Sequence, residues 1–127
     1  MAIVKSFEDL EVWKRARVFA QKIYDLTSEG SFAKDYSLKD QINRSAGSIM
    51  DNIAEGFERG GNREFINFLS YSKGSAGETR SQLYRAFDRK HIKETTLDEL
   101  KQESIEIGKM IGGFMTYLQH SDMKGSK

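Results

Sequence analysis

Cysteine and proline are both absent from this chain of 127 residues. Without cysteine the chain forms neither disulfides nor thiolate metal sites, and this composition suits the reducing conditions of the cytosol. Without proline, no position forbids a long uninterrupted helix. The two absences together favour a cytoplasmic protein built from long helices.

Long apolar runs and a strong charge of one sign are also missing. No apolar run approaches the roughly 20 residues that a membrane helix needs, and the first residues lack the apolar core of a signal peptide. The net charge of +1 does not by itself indicate a nucleic-acid-binding protein. Charged residues make up 31% of the chain, which is typical of amphipathic helices. We expect one soluble domain over residues 1–120, no membrane contact, and a flexible polar tail over 121–127.

Four amphipathic segments are present. The first covers about 8–27, the second runs from Ser37 to a Gly60-Gly61 turn, and the third covers about 62–90. In the second, steps of three and four residues predict a buried stripe, which consists of Leu38, Ile42, Ser45, Ile49, Ile53 and Gly56. In the fourth, 96–118, apolar residues recur at alternating steps of three and four, which is the spacing of a heptad seam. Four such helices with short connections predict an all-α fold, an antiparallel up-down-up-down four-helix bundle.

Polar residues mark where these helices begin. Ser37 with Asp40 and Thr96 with Glu99 have the spacing of capping boxes. Asn62 follows the glycine turn directly and belongs to a residue type that caps helices well. We therefore predict caps at Ser37, Asn62 and Thr96.

The glycine turn also predicts which residues of the second and third helices face each other. Antiparallel pairing places Gly47 opposite Gly74 and Arg44 beside Glu78. We expect the two helices to approach closely at the two glycines, and Arg44 to form an ion pair with Glu78. If that pair instead points into water, it contributes about 0–1 kcal/mol.

Catalytic and metal-binding motifs are lacking. The chain has no nucleophile elbow, phosphate loop or dinucleotide fingerprint. Its two histidines are His91 and His120, and Asp88 with His91 is one imperfect match to the Glu-x-x-His motif of di-iron bundles. We expect no metal, no cofactor and no enzymatic activity, and we interpret both histidines as exposed polar residues.

Several polar residues flank the glycine turn and resemble a catalytic group: Asn52, Glu55, Arg59 and Glu64. Their position favours a structural role, in which they bond backbone groups and each other. The first predicted helix is apolar on two sides, and the chain has more large aromatic residues than a small core readily absorbs. These are Trp13, Phe19, Tyr24, Tyr71, Tyr84 and Phe87. Because aromatic residues are enriched at interfaces, we expect self-association.

Two groups of basic residues are candidate nucleic-acid-binding sites. The first lies in the first predicted helix and consists of Lys14, Arg15, Arg17 and Lys22. The second gives a local charge of +4 over residues 80–93 against the single acid Asp88, and consists of Arg80, Arg85, Arg89, Lys90 and Lys93. Such side chains bind phosphates in a salt-dependent manner. Alternatively, they complement helix dipoles and aid solubility.

Three short motifs at the centre of the chain carry a family resemblance. They consist of Ser48, Ile49, Asn52, Ile53, Ala54, Glu55, Gly56 and Arg59, then Glu64, Phe65, Phe68 and Leu69, then Gly74, Ser75 and Glu78. On these residues, the chain from about 7 to 118 resembles the 23S rRNA-intervening-sequence proteins, also called S23 proteins. The resemblance implies a left-handed up-down four-helix bundle that assembles as a homopentamer.

The resemblance does not imply a molecular activity, because none is established for the family. Its members are encoded within insertions of bacterial 23S rRNA genes and elsewhere in genomes. Similar pentameric bundles serve diversity-generating retroelements, where they bind a reverse transcriptase and nucleic acid, but this is an analogy of fold. Two functions are therefore expected alternatives: an assembly that binds RNA or DNA, and a scaffold that docks a protein partner such as a reverse transcriptase.

Overall fold

The computed structural model describes residues 4–121, which are all-helical with four α-helices and no strand. The helices are α1 (Glu11–Thr27), α2 (Tyr36–Glu58), α3 (Asn62–Asp88) and α4 (Glu94–His120), and short 3-10 turns, Phe7–Asp9 and Gly30–Lys34, precede α1 and α2. None of the helices in this part of the chain has an apolar stretch long enough to cross a bilayer. Of the predicted tail 121–127, residues 122–127 lie outside the described residues.

Burial follows the predicted stripes of α2 and α4. On α2 the whole predicted stripe is buried: Leu38, Ile42, Ser45, Ile49, Ile53 and Gly56. The seam of α4 is buried at Leu97, Leu100, Ser104, Ile107, Ile111 and Leu118, while Phe114 is half-buried. Steps of three and four residues keep these side chains on one face of each helix. The periodicity therefore identified the buried faces of α2 and α4 correctly.

α1 is buried along one face only. That face carries Val12, Trp13, Ala16, Phe19, Ile23 and Thr27. On its other side, Val18 is 54% and Tyr24 is 55% exposed. Within one chain, the two-sided burial of this helix is therefore not realised, and Val18 and Tyr24 face outward as two separate apolar side chains.

α1 also begins later than the sequence pattern indicates. Asp9 accepts hydrogen bonds from the backbone N–H groups of Lys5 (2.9 Å) and Ser6 (3.2 Å), which closes a 3-10 turn. These two bonds lower the pKa of the Asp9 carboxyl group. Leu10 then adopts an extended backbone with φ −78° and ψ 125°. The acids before Glu11 therefore belong to this turn and not to the helix.

The three predicted caps are wrong because Ser37, Asn62 and Thr96 lie inside the first turns of their helices. The flanking residues are Asp35 before α2, Gly61 before α3 and Lys93 before α4. Of these, Asp35 caps with its side chain, whose Oδ1 accepts from the Leu38 N–H at 3.3 Å. A cap needs a non-helical backbone at the flanking position, and residue type alone does not locate that position.

α2 and α3 pack through a layer of hydroxyl groups. Ser45 Oγ lies 2.7 Å from Thr79 Oγ1 and 2.6 Å from Gln82 Oε1, and Ser72 Oγ donates to the Ile49 carbonyl at 2.7 Å. Contacts move backward along α3 as they move forward along α2, as in the predicted antiparallel hairpin. The order and handedness of the whole bundle stay predictions.

The close approach of these helices occurs at Gly56 and not at Gly47 or Gly74. A Cβ atom at Gly56 would lie 2.7 Å from Phe68 Cβ and 3.0 Å from Phe65 Cδ1, whereas one at Gly47 or Gly74 would meet no atom within 4 Å. The prediction for Gly47 and Gly74 is therefore wrong. Pairing arithmetic gives the level of a residue along the hairpin, but not the side of the helix that it occupies.

Candidate nucleic-acid interface

The predicted basic group of α1 is largely neutralised. Three of its cations pair with glutamates: Lys14 with Glu11 (3.2 Å), Arg15 with Glu106 (2.9 Å) and Lys22 with Glu103 (2.9 Å). Two of these pairs join α1 to α4, and the hydrogen bond from Arg15 lowers the pKa of the Glu106 carboxyl group. Arg17 lies over the Trp13 ring, with its Cζ 5.8 Å from the ring centroid. Two of its four cations, Arg15 and Lys22, thus attach α1 to α4, and the other two contact residues of α1 itself.

The second predicted group, which we call the basic end of α3, is less neutralised. It comprises Arg80, Arg85, Arg89, Lys90 and Lys93. Arg89 pairs with Asp35 at 2.8 Å, whereas Arg85 donates to the neutral Gln41 at 2.9 Å. Within residues 4–121, Arg80, Lys90 and Lys93 form no ion pair. Lys90 and Lys93 are exposed beside the turn between α3 and α4.

The backbone at Lys90 has an unusual conformation. Its φ is +65°, in the left-handed region where glycine is favoured and other residues are strained. The Lys90 N–H donates to the Phe87 carbonyl and the His91 N–H donates to the Ala86 carbonyl, both at 2.9 Å. This is the Schellman pattern that closes a helix, with lysine where glycine usually stands.

His91 fixes the turn and is not the exposed residue that the sequence suggested. Its side chain is 11% exposed, and its ring stacks on Phe32 with centroids 5.0 Å apart. Nε2 lies 2.9 Å from Asp35 Oδ2, and Nδ1 lies 2.8 Å from Ser31 Oγ. The hydrogen bonds from His91 and then Arg89 lower the pKa of Asp35 to about 2. The turn after α3 is thus tied to the segment between α1 and α2.

One cation beside the basic end of α3 escaped the sequence analysis. Lys101 of α4 lies over the ring of Tyr84, with Nζ 5.5 Å from the centroid, and Tyr84 is 42% exposed. A hydrogen bond with Tyr84 raises the pKa of Lys101, while the nearby positive charge of Arg80 opposes that shift. Counting charge within one segment could not reveal a lysine that another helix contributes.

The polar residues around the glycine turn bond to each other and to the backbone, as predicted. Arg59 pairs with Glu55 at 3.1 Å and with Glu64 at 3.8 Å, and its Cζ lies 4.9 Å from the centroid of the Phe68 ring. Asn52 Nδ2 donates to the Ser48 carbonyl at 2.8 Å. These contacts lie within and between the ends of α2 and α3.

Arg44 and Glu78 do not pair as predicted. Arg44 Nε lies 3.0 Å from Asp40 on its own helix, and Glu78 accepts from Gln82 at 3.5 Å. Both partners of Arg44 and Glu78 are four residues away along the same helix, so local spacing prevails over the hairpin contact. Among the described residues, no three potential metal ligands lie together where they could hold an ion.

Comparison with known proteins gives a consistent result. The model of the 23S rRNA-intervening sequence protein family matches residues 8–113. A crystal structure from Bacteroides thetaiotaomicron VPI-5482, of a protein with unknown function from the S23 ribosomal protein family, is similar with a TM-score of 0.74 and 26% identity. The similarity covers 82% of this chain and 97% of that one. No curated protein matches this chain. The chain belongs to the family of 23S rRNA-intervening sequence proteins.

Proposed function

We propose that this protein is a non-enzymatic homo-oligomer that binds RNA or DNA through the basic end of α3 and the adjoining Lys101. The observation that carries the proposal is the difference in pairing between the two basic groups. Carboxylates neutralise most of the α1 group, whereas Arg80, Lys90 and Lys93 keep their charges free within the described residues. Unpaired cations are the groups that contact phosphates and displace counterions from nucleic acid.

The strained backbone at Lys90 supports the same surface. A left-handed residue other than glycine costs about 1–2 kcal/mol, and glycine would relieve that cost at φ +65°. Where glycine would remove the strain and another residue stands instead, the side chain of that residue is expected to have a function. At Lys90 the side chain supplies an exposed positive charge at the tip of the turn.

Tyr84 supports single strands as the preferred ligand. Its ring is 42% exposed, and Lys101 lies over one face of it, so a base would stack on the other face. Exposed aromatic rings next to cations stack on unpaired bases, and each stacked base contributes about 1–3 kcal/mol. In a duplex the bases already stack on each other, so Tyr84 would add little.

We further propose that the bundle is left-handed with up-down-up-down order and assembles as a homopentamer. The family resemblance supports this assembly, and the exposed side chains of Val18 and Tyr24 on α1 are apolar groups that a neighbouring copy could cover. Copies of a weak site on one particle bind a long strand with avidity. Light scattering tests the assembly: we expect about five times the chain mass of 14.5 kDa, and the mass of a single chain would contradict it.

The binding proposal is tested by titrating a labelled single-stranded RNA and its DNA equivalent in about 50 and about 200 mM salt. We expect binding in low salt that weakens steeply in high salt. The double variant Lys90→Glu/Lys93→Glu should bind at least about tenfold more weakly. Its control, Lys5→Glu/Arg63→Glu, makes the same charge change at exposed, unpaired positions elsewhere.

Two results would overturn the proposal. One is an absence of binding by the unaltered protein in low salt, or binding that does not depend on salt. The other is an equal decrease in affinity in both double variants, which would make net charge the cause. In the first case, a scaffold that docks a protein partner becomes the better account.

A further inference from the structure

A second basic surface lies along the groove between α3 and α4. Here we call it the α3–α4 groove; it has a volume of about 350 Å³. Lys73 and Arg80 of α3 and Lys109 of α4 line it, around a floor that includes Gly77, Gly108 and Gly112. This volume falls in the range of small-molecule sites, which is roughly 300–1,000 Å³.

The charges of the α3–α4 groove are of one sign. No carboxylate is among the residues that line it, and Lys73, Arg80 and Lys109 form no ion pair within residues 4–121. The positive charge of Lys109 contributes to the lowered pKa of Glu106, but the Glu106 carboxylate is engaged by Arg15 and Gln102. Three cations that line one concave surface are an arrangement suited to a multiply charged anion.

The floor of the groove is open at Gly77 and Gly108. A Cβ atom at Gly77 or Gly108 would meet no atom within 4 Å, and one at Gly112 would meet only the end of the Lys73 side chain at 3.5 Å. Packing within the chain therefore does not require these glycines, although each costs its helix about 1 kcal/mol relative to alanine. Their effect is to let a ligand approach the backbone closely.

We propose that the α3–α4 groove binds a nucleotide. Its phosphates contact Lys73, Arg80 and Lys109. Its base lies flat on the glycine floor, where the backbone N–H groups are already bonded within the helices, so the surface left for the base is aliphatic. A bare anion would use the cations alone, and a neutral nucleoside the floor alone. The two surfaces share Arg80, but the inference does not rest on the proposed RNA or DNA binding, because Lys73 and Lys109 have no part in that proposal.

Calorimetric titration of the full chain with AMP, ADP, adenosine and pyrophosphate tests this site. We expect ADP and AMP to bind at least about tenfold more tightly than adenosine or pyrophosphate. Lys73→Gln/Lys109→Gln should weaken ADP binding at least about tenfold, while the control Lys5→Gln/Lys34→Gln, at exposed and unpaired positions, should not change it. Gly108→Leu should block the floor and abolish ADP binding while leaving pyrophosphate binding unchanged.

Further titrations identify the source of the nucleotide and distinguish this site from the basic end of α3. If ADP is displaced by an oligonucleotide with a 5′-phosphate, but not by the same oligonucleotide with a 5′-hydroxyl group, the ligand is the end of a strand. If neither oligonucleotide displaces ADP, the ligand is the free nucleotide. Lys90→Glu/Lys93→Glu should leave ADP binding intact. No ADP binding, equal binding of ADP and pyrophosphate, or unchanged ADP affinity in both groove variants would overturn the proposal, as would binding of an acidic helical peptide alone.

Discussion

The two ends of α3 meet their neighbouring helices through turns of opposite character. At the first end, Gly60 supplies the positive φ of +96°, and the nearby cation, Arg59, is placed between two glutamates. At the second end, Lys90 takes the positive φ and its charge is unpaired within residues 4–121. At the first turn, both the backbone conformation and the charge pairing favour stability. At the second turn, a strained backbone and an unpaired charge do not. That difference locates the candidate interface at the second end.

The largest expected effect on stability concerns Gly56, where α2 packs closely against the first end of α3. Gly56→Ala should destabilise the fold by about 1–3 kcal/mol, because the new methyl group would lie 2.7 Å from Phe68 Cβ. Gly74→Ala, whose methyl group meets no atom within 4 Å, should instead stabilise it by up to about 1 kcal/mol. Urea denaturation of both variants measures the difference. Equal changes in stability would refute the assignment of the close contact to Gly56.

A smaller effect of opposite sign is expected at the other end. Lys90→Gly should stabilise the fold by about 1 kcal/mol, because glycine adopts φ +65° without strain. The same denaturation experiment measures it, with Lys93→Gly as the control, since Lys93 has an ordinary extended backbone with φ −80°. If Lys90→Gly were no more stable than the unaltered protein, strain at this turn would be ruled out.

A still smaller effect on stability is expected from the ion pairs that Arg59 forms at the first end of α3. Arg59 and Glu55 are about half exposed, so their pair contributes about 0–1 kcal/mol. The ring of Phe68 beneath the guanidinium adds a similar amount. Arg59→Ala should therefore lower stability by about 0.5–2 kcal/mol in total, and part of this decrease should vanish in high salt. A decrease above about 3 kcal/mol would mean that Arg59 has a role other than these contacts.

The last effect is confined to acid solution and concerns the tie between the second turn and Asp35. The pKa of Asp35 is about 2 in the folded chain, against an ordinary value of 3.8. The unfolded chain therefore binds more protons between these values, and the stability that Asp35 contributes is complete above about pH 5 and is lost as pH falls toward 2. Thermal melting of the unaltered protein and Asp35→Asn should differ at about pH 5 and converge near pH 2. A constant difference across this range would contradict the assigned pKa.

The sequence predicted the buried faces well because burial repeats along a helix. The stripes of α2 and the seam of α4 recur every three or four residues, and no other structure fits that spacing. It predicted helix starts poorly, since Asp35, Gly61 and Lys93 flank the helices, whereas the predicted caps stand one to three positions later, at Ser37, Asn62 and Thr96. The capping position is the one where the backbone changes from extended to helical. The sequence of one segment does not reveal where that change occurs.

The candidate interface could be predicted only in part. The density of cations between residues 80 and 93 was visible, but which of them are neutralised depends on residues far away in the sequence, such as Asp35, which pairs with Arg89. For the same reason the network of His91 and the contact of Lys101 with Tyr84 were missed. Pairing between elements distant in sequence decides which charges stay free.

The measurement that tests the central claim most directly is RNA binding by Lys90→Gly as a function of salt concentration. This variant removes one charge and relieves the strained backbone at the same position. If Lys90 is retained because it binds phosphate, the variant should be more stable yet bind more weakly. The slope of log affinity against log salt should then fall by about 0.7 for each phosphate of a single strand that Lys90 neutralises. A variant that is more stable and binds RNA with unchanged affinity and slope would contradict the claim.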